Sequence, residues 1–337
     1  MAQPRVLTGI KPTGQLHIGN YIGAIRPALA LAEKSDDMFI FIADYHSLNA
    51  MRDPEQIRAN SYDILAAYIA LGLDPSKATL YRQSDVPEIF ELSTMLMNVA
   101  PKGLMNRAHA YKASVDKNRA LGKEGAELDE GVNMGLYTYP ILMAADILIA
   151  QANIVPVGKD QVQHIEMARD MAGTFNHLFG ETFTIPDFEI QGEVGLIVGL
   201  DGQKMSKSYN NTIPLFETSK KRRKLIMKIV TDSKLPEEPK NPDESTICDI
   251  YKFFGTPEEI AELRADFEKG GLGYGDAKQR LFEAVDRELA EPTERYNELI
   301  ADKKQLDEIL AAGAERMKPI AMETINKMRE AVGFKTR

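Results

Sequence analysis

The first twenty residues constrain the fold most, because an apolar run passes directly into a glycine-containing turn and a helix start. The run Val6–Ile10 predicts a β-strand, and Pro12–Asn20 predicts the turn and the helix start. In a doubly wound α/β sheet, ligands bind where the first strand turns into its helix, and free backbone N–H groups there attract phosphate. The segment therefore predicts a phosphate site with His17 and Asn20 as donors, although turns that bind nothing share this pattern.

Strand and helix patterns alternate up to about residue 200, which predicts an α/β fold with a Rossmann-like, doubly wound parallel sheet. The further predicted strands are Met38–Ala43, Thr79–Tyr81, Ile154–Val157 and Val194–Val198. The predicted helices cover residues 19–34, 53–72, 87–99, 137–151 and 160–179. The stretch 113–132 is charged and lacks a clear period, so it predicts an exposed insertion, either a plain surface loop or a lid.

Beyond Pro214 the pattern is almost wholly helical. The change predicts two domains, a Rossmann-like catalytic domain over residues 1–215 and a C-terminal helical domain over residues 216–337.

A second informative segment, Lys204–Ser208, lies at the end of the α/β region and carries lysines at positions 204 and 207. Two ammonium groups at this spacing can neutralise charge that develops on the β- and γ-phosphates as pyrophosphate leaves. In isolation the segment is better explained as a solvated basic turn. Together with the glycine turn it predicts substrate activation by ATP, with four catalytic residues: Lys204, Lys207, His17 and Asn20.

The composition limits the class of protein. A hydrophobic fraction of 44% and a charged fraction of 27% over 337 residues are ordinary for a soluble globular protein. The single cysteine, Cys248, excludes an intramolecular disulfide and a cysteine metal site, so we expect a reducing compartment, the cytoplasm. No signal peptide or membrane span is expected. The net charge of −9 argues against nonspecific coating of nucleic acid but leaves a local RNA-binding patch open.

One helix face predicts an amino-acid pocket. Tyr139, Met143 and Asp146 are spaced i, i+4 and i+7, so they share one face. An indole ring needs an apolar slot and one acceptor for its N–H, which costs roughly 1–3 kcal/mol if it is buried unpaired. A structural pair between Asp146 and a basic neighbour explains the residue equally well. A carboxylate also accepts from a phenol, so this argument leaves tryptophan and tyrosine open.

The glycine turn and the lysine segment resemble the paired nucleotide-binding motifs of class I aminoacyl-tRNA synthetases. In detail the chain is similar to the bacterial-type tryptophanyl-tRNA synthetase family, in order and over nearly its whole length. The further matching segments are Gly9–Gly14, Gly19–Ala24, Tyr139–Leu148, Val155–Gln161 and Val230–Ser233. Two departures add positive charge: Lys11 stands where relatives often carry glutamine, and Lys159 stands where they often carry glutamate.

The resemblance implies which residues contact each substrate. For ATP, which brings Mg²⁺ without a protein metal site, they are Lys11, Pro12, Thr13, Gly19, Asn20, Gly158, Lys159, Asp160, Ile197, Lys204, Met205, Ser206, Lys207 and Ser208. For L-tryptophan they are Leu7, His46, Tyr139, Met143, Asp146, Val155, Val157 and Gln161. On the residues alone, His46 is equally a hydrogen-bonded turn histidine.

The implied function is tryptophan–tRNA ligation: tryptophan is activated as an adenylate and then transferred to the 3′ end of its cognate tRNA. The resemblance also implies a homodimer and anticodon recognition by the helical domain. The basic run Lys220–Lys224 is either a solvated helix face or a contact to the tRNA backbone. The alternatives are a tyrosyl-tRNA synthetase, a nucleotidyltransferase that makes adenylates without tRNA, and a synthetase-like paralogue that binds without catalysis.

Overall fold

The core of the protein is one parallel sheet. A computed structural model describes residues 4–12, 14–190 and 197–337. Within these ranges the strands are β1 (Val6–Ile10), β2 (Met38–Ile42), β3 (Ala78–Arg82), β4 (Ile154–Val157) and β5 (Asp187–Ile190). They pair in the order β3-β2-β1-β4-β5, and every pair is parallel. The strand order reverses between β1 and β4, so the predicted doubly wound α/β fold is confirmed.

Four of the five strands agree with the sequence prediction, and the last one does not. Residues 194–196 of the predicted strand lie outside the described residues, and Val198 makes only an isolated antiparallel bridge to Lys204. The fifth strand is β5 instead. Its residues are mostly exposed at the sheet edge, so it lacks the continuous apolar run that identifies a buried strand.

Helices cover the sheet and form the C-terminal part of the chain. A π-helical turn, Tyr21–Ile25, joins the first two helices. The α-helices are α1 (Ile18–Asn20), α2 (Arg26–Ala32), α3 (Asp44–Ser47), α4 (Pro54–Ala70), α5 (Glu88–Leu96), α6 (Lys102–Met105), α7 (His109–Ala120), α8 (Met134–Ile149), α9 (Val162–Phe179), α10 (Ser219–Ile226), α11 (Thr246–Tyr251), α12 (Pro257–Lys269), α13 (Tyr274–Ala301) and α14 (Lys303–Ala331). No helix of the described residues is both long and apolar enough to cross a membrane.

The stretch predicted as an irregular insertion is mostly helical, which corrects the prediction for residues 113–132. Helix α7 extends through Ala120, and a short 3₁₀ turn covers Gly125–Asp129. The buried Asn118 donates to the carbonyls of Leu128 and Glu130 at 2.9 Å each, and so ties the turn to the helix. Polar contacts rather than an apolar stripe hold this helix, so the hydrophobic pattern does not reveal it.

Two hydrophobic cores lie on the two faces of the sheet. One core joins alternate residues of the central strands to α4 and to the C-terminal helices, and the other packs the opposite strand faces against α5, α8 and α9. Helix α14 contributes to both cores. It approaches β3 so closely that a Cβ atom at Gly313 would lie 1.7 Å from the Leu80 carbonyl oxygen, so only glycine fits there. Because the first core spans residue 215, the division into domains at that position stays a prediction.

Candidate active site

A cleft of about 700 Å³ opens at the carboxyl ends of β1 and β4, where the strand order reverses. The end of β1 supplies Gly9 to Lys11, and the end of β4 supplies Pro156 to Lys159. Helix α8 closes one side with a row of inward-facing side chains. The cleft therefore lies where doubly wound sheets bind ligands. Its lining contains all eight residues predicted for the amino-acid pocket: Leu7, His46, Tyr139, Met143, Asp146, Val155, Val157 and Gln161.

Asp146 is the polar centre of this cleft. Its side chain is 1% exposed and accepts hydrogen bonds from two side chains. His46 Nε2 lies 2.9 Å from Oδ2, and Gln83 Nε2 lies 2.7 Å from Oδ1 and 2.9 Å from Oδ2. Burial raises the pKa of Asp146, and the hydrogen bonds from His46 and Gln83 oppose that rise. The carboxylate is thus held in a fixed orientation while it borders the cleft.

Gln83 is a site residue that sequence reasoning missed. It is completely buried and directly follows β3, in the same way that α3 with His46 follows β2. Polar residues just beyond the ends of parallel strands converge on one edge of the sheet. Applied to β3, this rule would have marked Gln83 as a candidate.

Tyr139 is held from behind by His164. The Tyr139 hydroxyl lies 2.6 Å from His164 Nε2, and both rings lie in an edge-to-face arrangement. Burial raises the pKa of Tyr139 to about 12 and lowers the pKa of His164 to about 4, so both groups are neutral near pH 7. The sequence predicts no part in the site for His164, but in the structure it contacts the cleft residue Tyr139.

The depressed pKa of His164 predicts acid sensitivity. From pH 6.5 down to about 4, the unfolded chain binds a proton at His164 that the folded chain does not bind, so the free energy of unfolding falls with pH. In urea unfolding between pH 7.5 and 5, His164→Gln should flatten this dependence by up to about 1.4 kcal/mol per pH unit. His177→Gln, at an exposed position of the same helix, is the control. An unchanged slope in His164→Gln would contradict the prediction.

The glycine turn and the lysine segment meet in space. A Cβ atom at Gly14 would lie 3.4 Å from Lys207 Nζ, and one at Gly19 would lie 3.3 Å from Met205 Sδ. Burial and the nearby charge of Lys207 lower the pKa of His17 to about 4, so its imidazole is neutral at pH 7. Two segments almost two hundred positions apart in the chain therefore form one surface beside the cleft.

Backbone hydrogen bonds fix this arrangement. The chain after the lysine segment runs antiparallel to the turn, with Ile18 N donating to Ile213 O at 3.0 Å and Leu215 N donating to Leu16 O at 3.0 Å. The turn itself is closed by His17 N, which donates to Asn20 Oδ1 at 3.1 Å. Main-chain hydrogen bonds thus hold the helix start next to the chain that follows the lysine segment.

Only some of the residues predicted to contact ATP line the cleft. Lys11, Gly158 and Lys159 line the cleft, and burial lowers the pKa of Lys11. Thr13 lies outside the described residues. The others are not part of the lining: Pro12, Gly19, Asn20, Asp160, Ile197, Lys204, Met205, Ser206, Lys207 and Ser208. Ile197 nevertheless comes close, because its Cδ1 lies 3.7 Å from the Cβ position of the lining residue Gly23.

The described residues contain no group of three or more His, Cys, Asp or Glu side chains placed to hold a metal ion. The arrangement thus combines a mostly apolar cleft around one carboxylate with three cationic side chains. Lys11 and Lys159 line the cleft, and Lys207 lies beside the glycine turn.

Comparison with known proteins gives a consistent result over the full length of the chain. The family model for class I tRNA synthetases (W and Y) matches residues 1–290. The tryptophan–tRNA ligase of Neisseria meningitidis is 53% identical over 336 residues, 99% of both chains. That of Pseudomonas putida is 52% identical, over 98% of this chain and 74% of the relative. The crystal structure of Campylobacter jejuni tryptophanyl-tRNA synthetase with ADP and tryptophan has a TM-score of 0.87 and 46% identity, covering 98% of this chain and all of that one.

Proposed function

Because this chain belongs to the tryptophan and tyrosine group of class I tRNA synthetases, we propose that its cleft is the site where L-tryptophan reacts with ATP. The activity is tryptophan–tRNA ligation, and it makes the chain an ATP-dependent ligase. The observation that carries the assignment of the site is the buried, pre-oriented Asp146 in a mostly apolar cleft of about 700 Å³.

The reaction has two steps. A carboxylate oxygen of tryptophan attacks the α-phosphorus of ATP, the bond to the bridging oxygen breaks, and pyrophosphate leaves. The terminal ribose hydroxyl of tRNA then attacks the carbonyl carbon of the adenylate, and AMP leaves. Neither step needs a protein nucleophile, so the enzyme acts by positioning its substrates and by stabilising developing charge.

In the proposed amino-acid pocket, Asp146 accepts the indole N–H. His46 and Gln83 hold the carboxylate in place for that bond. The apolar wall comes from Met143 on α8 together with three strand residues: Leu7, Val155 and Val157. Tyr139 and Gln161 face the amino group of the substrate, an assignment that family likeness and their place in the lining support.

The proposed nucleotide site extends from the cleft to the lysine segment. Lys11, Gly158 and Lys159 lie at the cleft end, and the turn with Asn20 and Lys207 lies at the phosphate end. Mg²⁺ arrives with ATP, because this ion keeps several water molecules and is bound largely by phosphate oxygens. The neutral His17 suits this place, since it can donate to a phosphate oxygen without adding a charge that Lys207 would repel.

Pyrophosphate exchange into ATP, run with each amino acid separately, tests the proposed function. Exchange with tryptophan and none with tyrosine is expected. Exchange with tyrosine alone would establish the tyrosyl alternative, and absence of exchange with every amino acid would leave a binding-only paralogue. The chain contains no tryptophan, so fluorescence of the bound substrate can be read in parallel, without tryptophan emission from the protein.

We further propose that α10 contacts the tRNA backbone. Arg222 is fully buried, where it pairs with Asp286 and donates to Thr293 Oγ1 at 3.0 Å. The four other basic residues of the run are exposed and form a positive surface on an acidic chain: Lys220, Lys221, Arg223 and Lys224. Such a surface attracts phosphate without selecting a sequence.

Removing two charges from that surface should weaken tRNA binding. In the double variant Lys220→Ser and Lys224→Ser, we expect the KM for tRNA to rise about 3- to 10-fold. The slope of log KM for tRNA against log salt concentration should fall in magnitude by about 1 for each lysine removed. Pyrophosphate exchange, which uses no tRNA, should not change. The matched control removes two exposed lysines of α14, Lys304→Ser and Lys318→Ser. If this control has the same effect, α10 makes no specific contact.

A homodimer is also proposed, with an apolar patch around α5 as its interface. Leu48, Phe90, Met97 and Met134 are all exposed, and the Tyr45 and Phe90 rings lie 4.5 Å apart. Helix α5 packs on α8, which carries Asp146, so the proposed interface lies directly behind the amino-acid pocket. Exposed apolar patches of this kind mark interaction surfaces.

Charges placed on this patch should dissociate the dimer. Analytical ultracentrifugation of Phe90→Glu with Met97→Glu should give a monomer, because a buried unpaired carboxylate costs several kcal/mol. Leu121→Glu, at another exposed leucine beyond the end of α7, should remain dimeric. A monomeric parent protein would refute the proposed dimer.

Two proposals rest on the family alone. The helical region over residues 216–337 is proposed to recognise the anticodon, with the catalytic domain over residues 1–215. A cytoplasmic location is proposed because the activity serves protein synthesis.

A further inference from the structure

Asn211 is a buried polar residue three positions beyond the lysine segment, and neither the sequence motifs nor the proposed mechanism uses it. Its side chain is 3% exposed. Nδ2 donates to Asp201 Oδ1 at 2.7 Å and to the Lys204 carbonyl at 3.0 Å, and Oδ1 accepts from the Ser206 N–H at 2.8 Å. The Asn211 amide therefore joins Asp201, which precedes the lysine segment, to Lys204 and Ser206 within it.

The orientation of this amide is determined by its partners. Its two donors face two acceptors and its oxygen faces an N–H, so the flipped amide would lose every bond. The carbonyl of Asn211 also accepts from Leu200 N at 2.9 Å. A Cβ atom at Gly199 would lie 2.4 Å from Asn211 Cγ, so glycine is required at position 199 to let the amide enter.

The rest of the segment forms a closed hairpin around this amide. Gly199 N donates to Gln203 O at 2.7 Å, and Met205 N donates to Ile197 O at 2.8 Å. Lys204 is bridged to Val198 through the backbone, and Lys207 extends from the hairpin to Gly14. Both lysines are therefore carried by a folded backbone that main-chain hydrogen bonds and the Asn211 side chain close together.

We propose that Asn211 is the positioning residue that presents Lys204 and Lys207 to the phosphates of ATP. This inference rests on the proposed nucleotide site. Asn211 touches no substrate. It acts through the Lys204 carbonyl and the Ser206 N–H, which fix the backbone that carries both ammonium groups. A preformed backbone spares the cost of ordering the segment as charge develops on the leaving pyrophosphate.

Asp201 offers a reciprocal test of this arrangement. The hydrogen bond from Asn211 is the main cause that lowers the pKa of Asp201, which also accepts from Gln203 N at 3.0 Å. In Asn211→Asp, two carboxylates would face each other and the Lys204 carbonyl would lose its donor. In the swapped pair Asp201→Asn with Asn211→Asp, the amide at 201 can donate to the carboxylate at 211, which still accepts from Ser206 N.

The experiment measures pyrophosphate exchange and tryptophan binding in the full chain. For Asn211→Asp we expect kcat/KM for ATP to fall about 10- to 100-fold, because small misplacements of catalytic groups cost this much. Tryptophan affinity, read from ligand fluorescence, should stay within about twofold, since Asn211 does not line the cleft. The kcat/KM for ATP of the swapped pair should be at least about three times that of Asn211→Asp.

Three results would overturn the proposal: an unchanged kcat/KM for ATP in Asn211→Asp, a swapped pair no better than the single variant, or an equal loss of tryptophan affinity. Asn211→Ser removes the amide without adding charge. It replaces Asn211→Asp in these measurements if the aspartate variant does not fold. Hydrogen exchange at the Ser206 amide should be faster in Asn211→Ser than in the parent. This readout needs no activity, so failure of the inference is distinguishable from failure of the proposed function.

Discussion

Replacing Lys207 by alanine should slow tryptophan-dependent pyrophosphate exchange by about 10²–10³-fold, the cost of removing one preorganised donor from a transition state. The Lys207 ammonium lies against Gly14 at the helix start, where the phosphates are proposed to bind. Burial lowers the pKa of Lys207, and an anionic ligand beside it would stabilise the ammonium form. The loss should appear in kcat, because the charge acts on the leaving pyrophosphate rather than on tryptophan.

Tryptophan affinity should change by less than about twofold in Lys207→Ala, because Lys207 does not line the amino-acid cleft. Ligand fluorescence measures this affinity directly in a chain without tryptophan. The matched control is Lys221→Ala, which removes the same charge from an exposed position on α10 and should leave exchange intact. Equal losses of exchange rate and tryptophan affinity in Lys207→Ala would contradict the role given to Lys207.

The sequence predicts those parts of the fold whose residues are buried in a regular pattern. Strands β2 and β3 are almost wholly buried because both faces of the sheet are covered. Their β-branched, aromatic and aliphatic residues therefore identify them from the sequence. Strand β5 is exposed at the edge, and α7 is held by the amide of Asn118, so neither has an apolar period. Local pattern analysis cannot recover elements that are stabilised by edge pairing or by polar contacts.

The candidate site follows the same division. The helix-face spacing predicts Tyr139, Met143 and Asp146, and the family resemblance implies the other five tryptophan-contacting residues. All eight line one cleft. Gln83 was missed although it follows a strand end, whereas Asn211 has no local signal because its role depends on tertiary partners. In the basic run Lys220–Lys224, charge alone suggests that every residue is exposed, and one is not. Arg222 shares its sequence neighbours' charge but faces inward to Asp286, which only the packing of α10 on α13 reveals.

Asp146→Asn should reduce the preference for an indole N–H. In the parent, three donors converge on the carboxylate: His46, Gln83 and the proposed indole. An amide offers only one acceptor oxygen and adds an N–H, so at least one of these donors loses its partner. An unpaired buried donor costs about 1–3 kcal/mol, which corresponds to about 5- to 150-fold in tryptophan affinity.

A substrate analogue separates this effect from general damage to the pocket. In benzothienylalanine a sulfur atom replaces the indole N–H, so the analogue cannot donate to Asp146. The parent should therefore bind tryptophan more tightly than the analogue, and Asp146→Asn should narrow the difference because mainly tryptophan loses affinity. Asp63→Asn makes the same carboxylate-to-amide change on α4, where the side chain accepts from Tyr296, and should keep the full difference. If Asp146→Asn weakens both ligands equally, the carboxylate shapes the pocket without accepting the indole N–H.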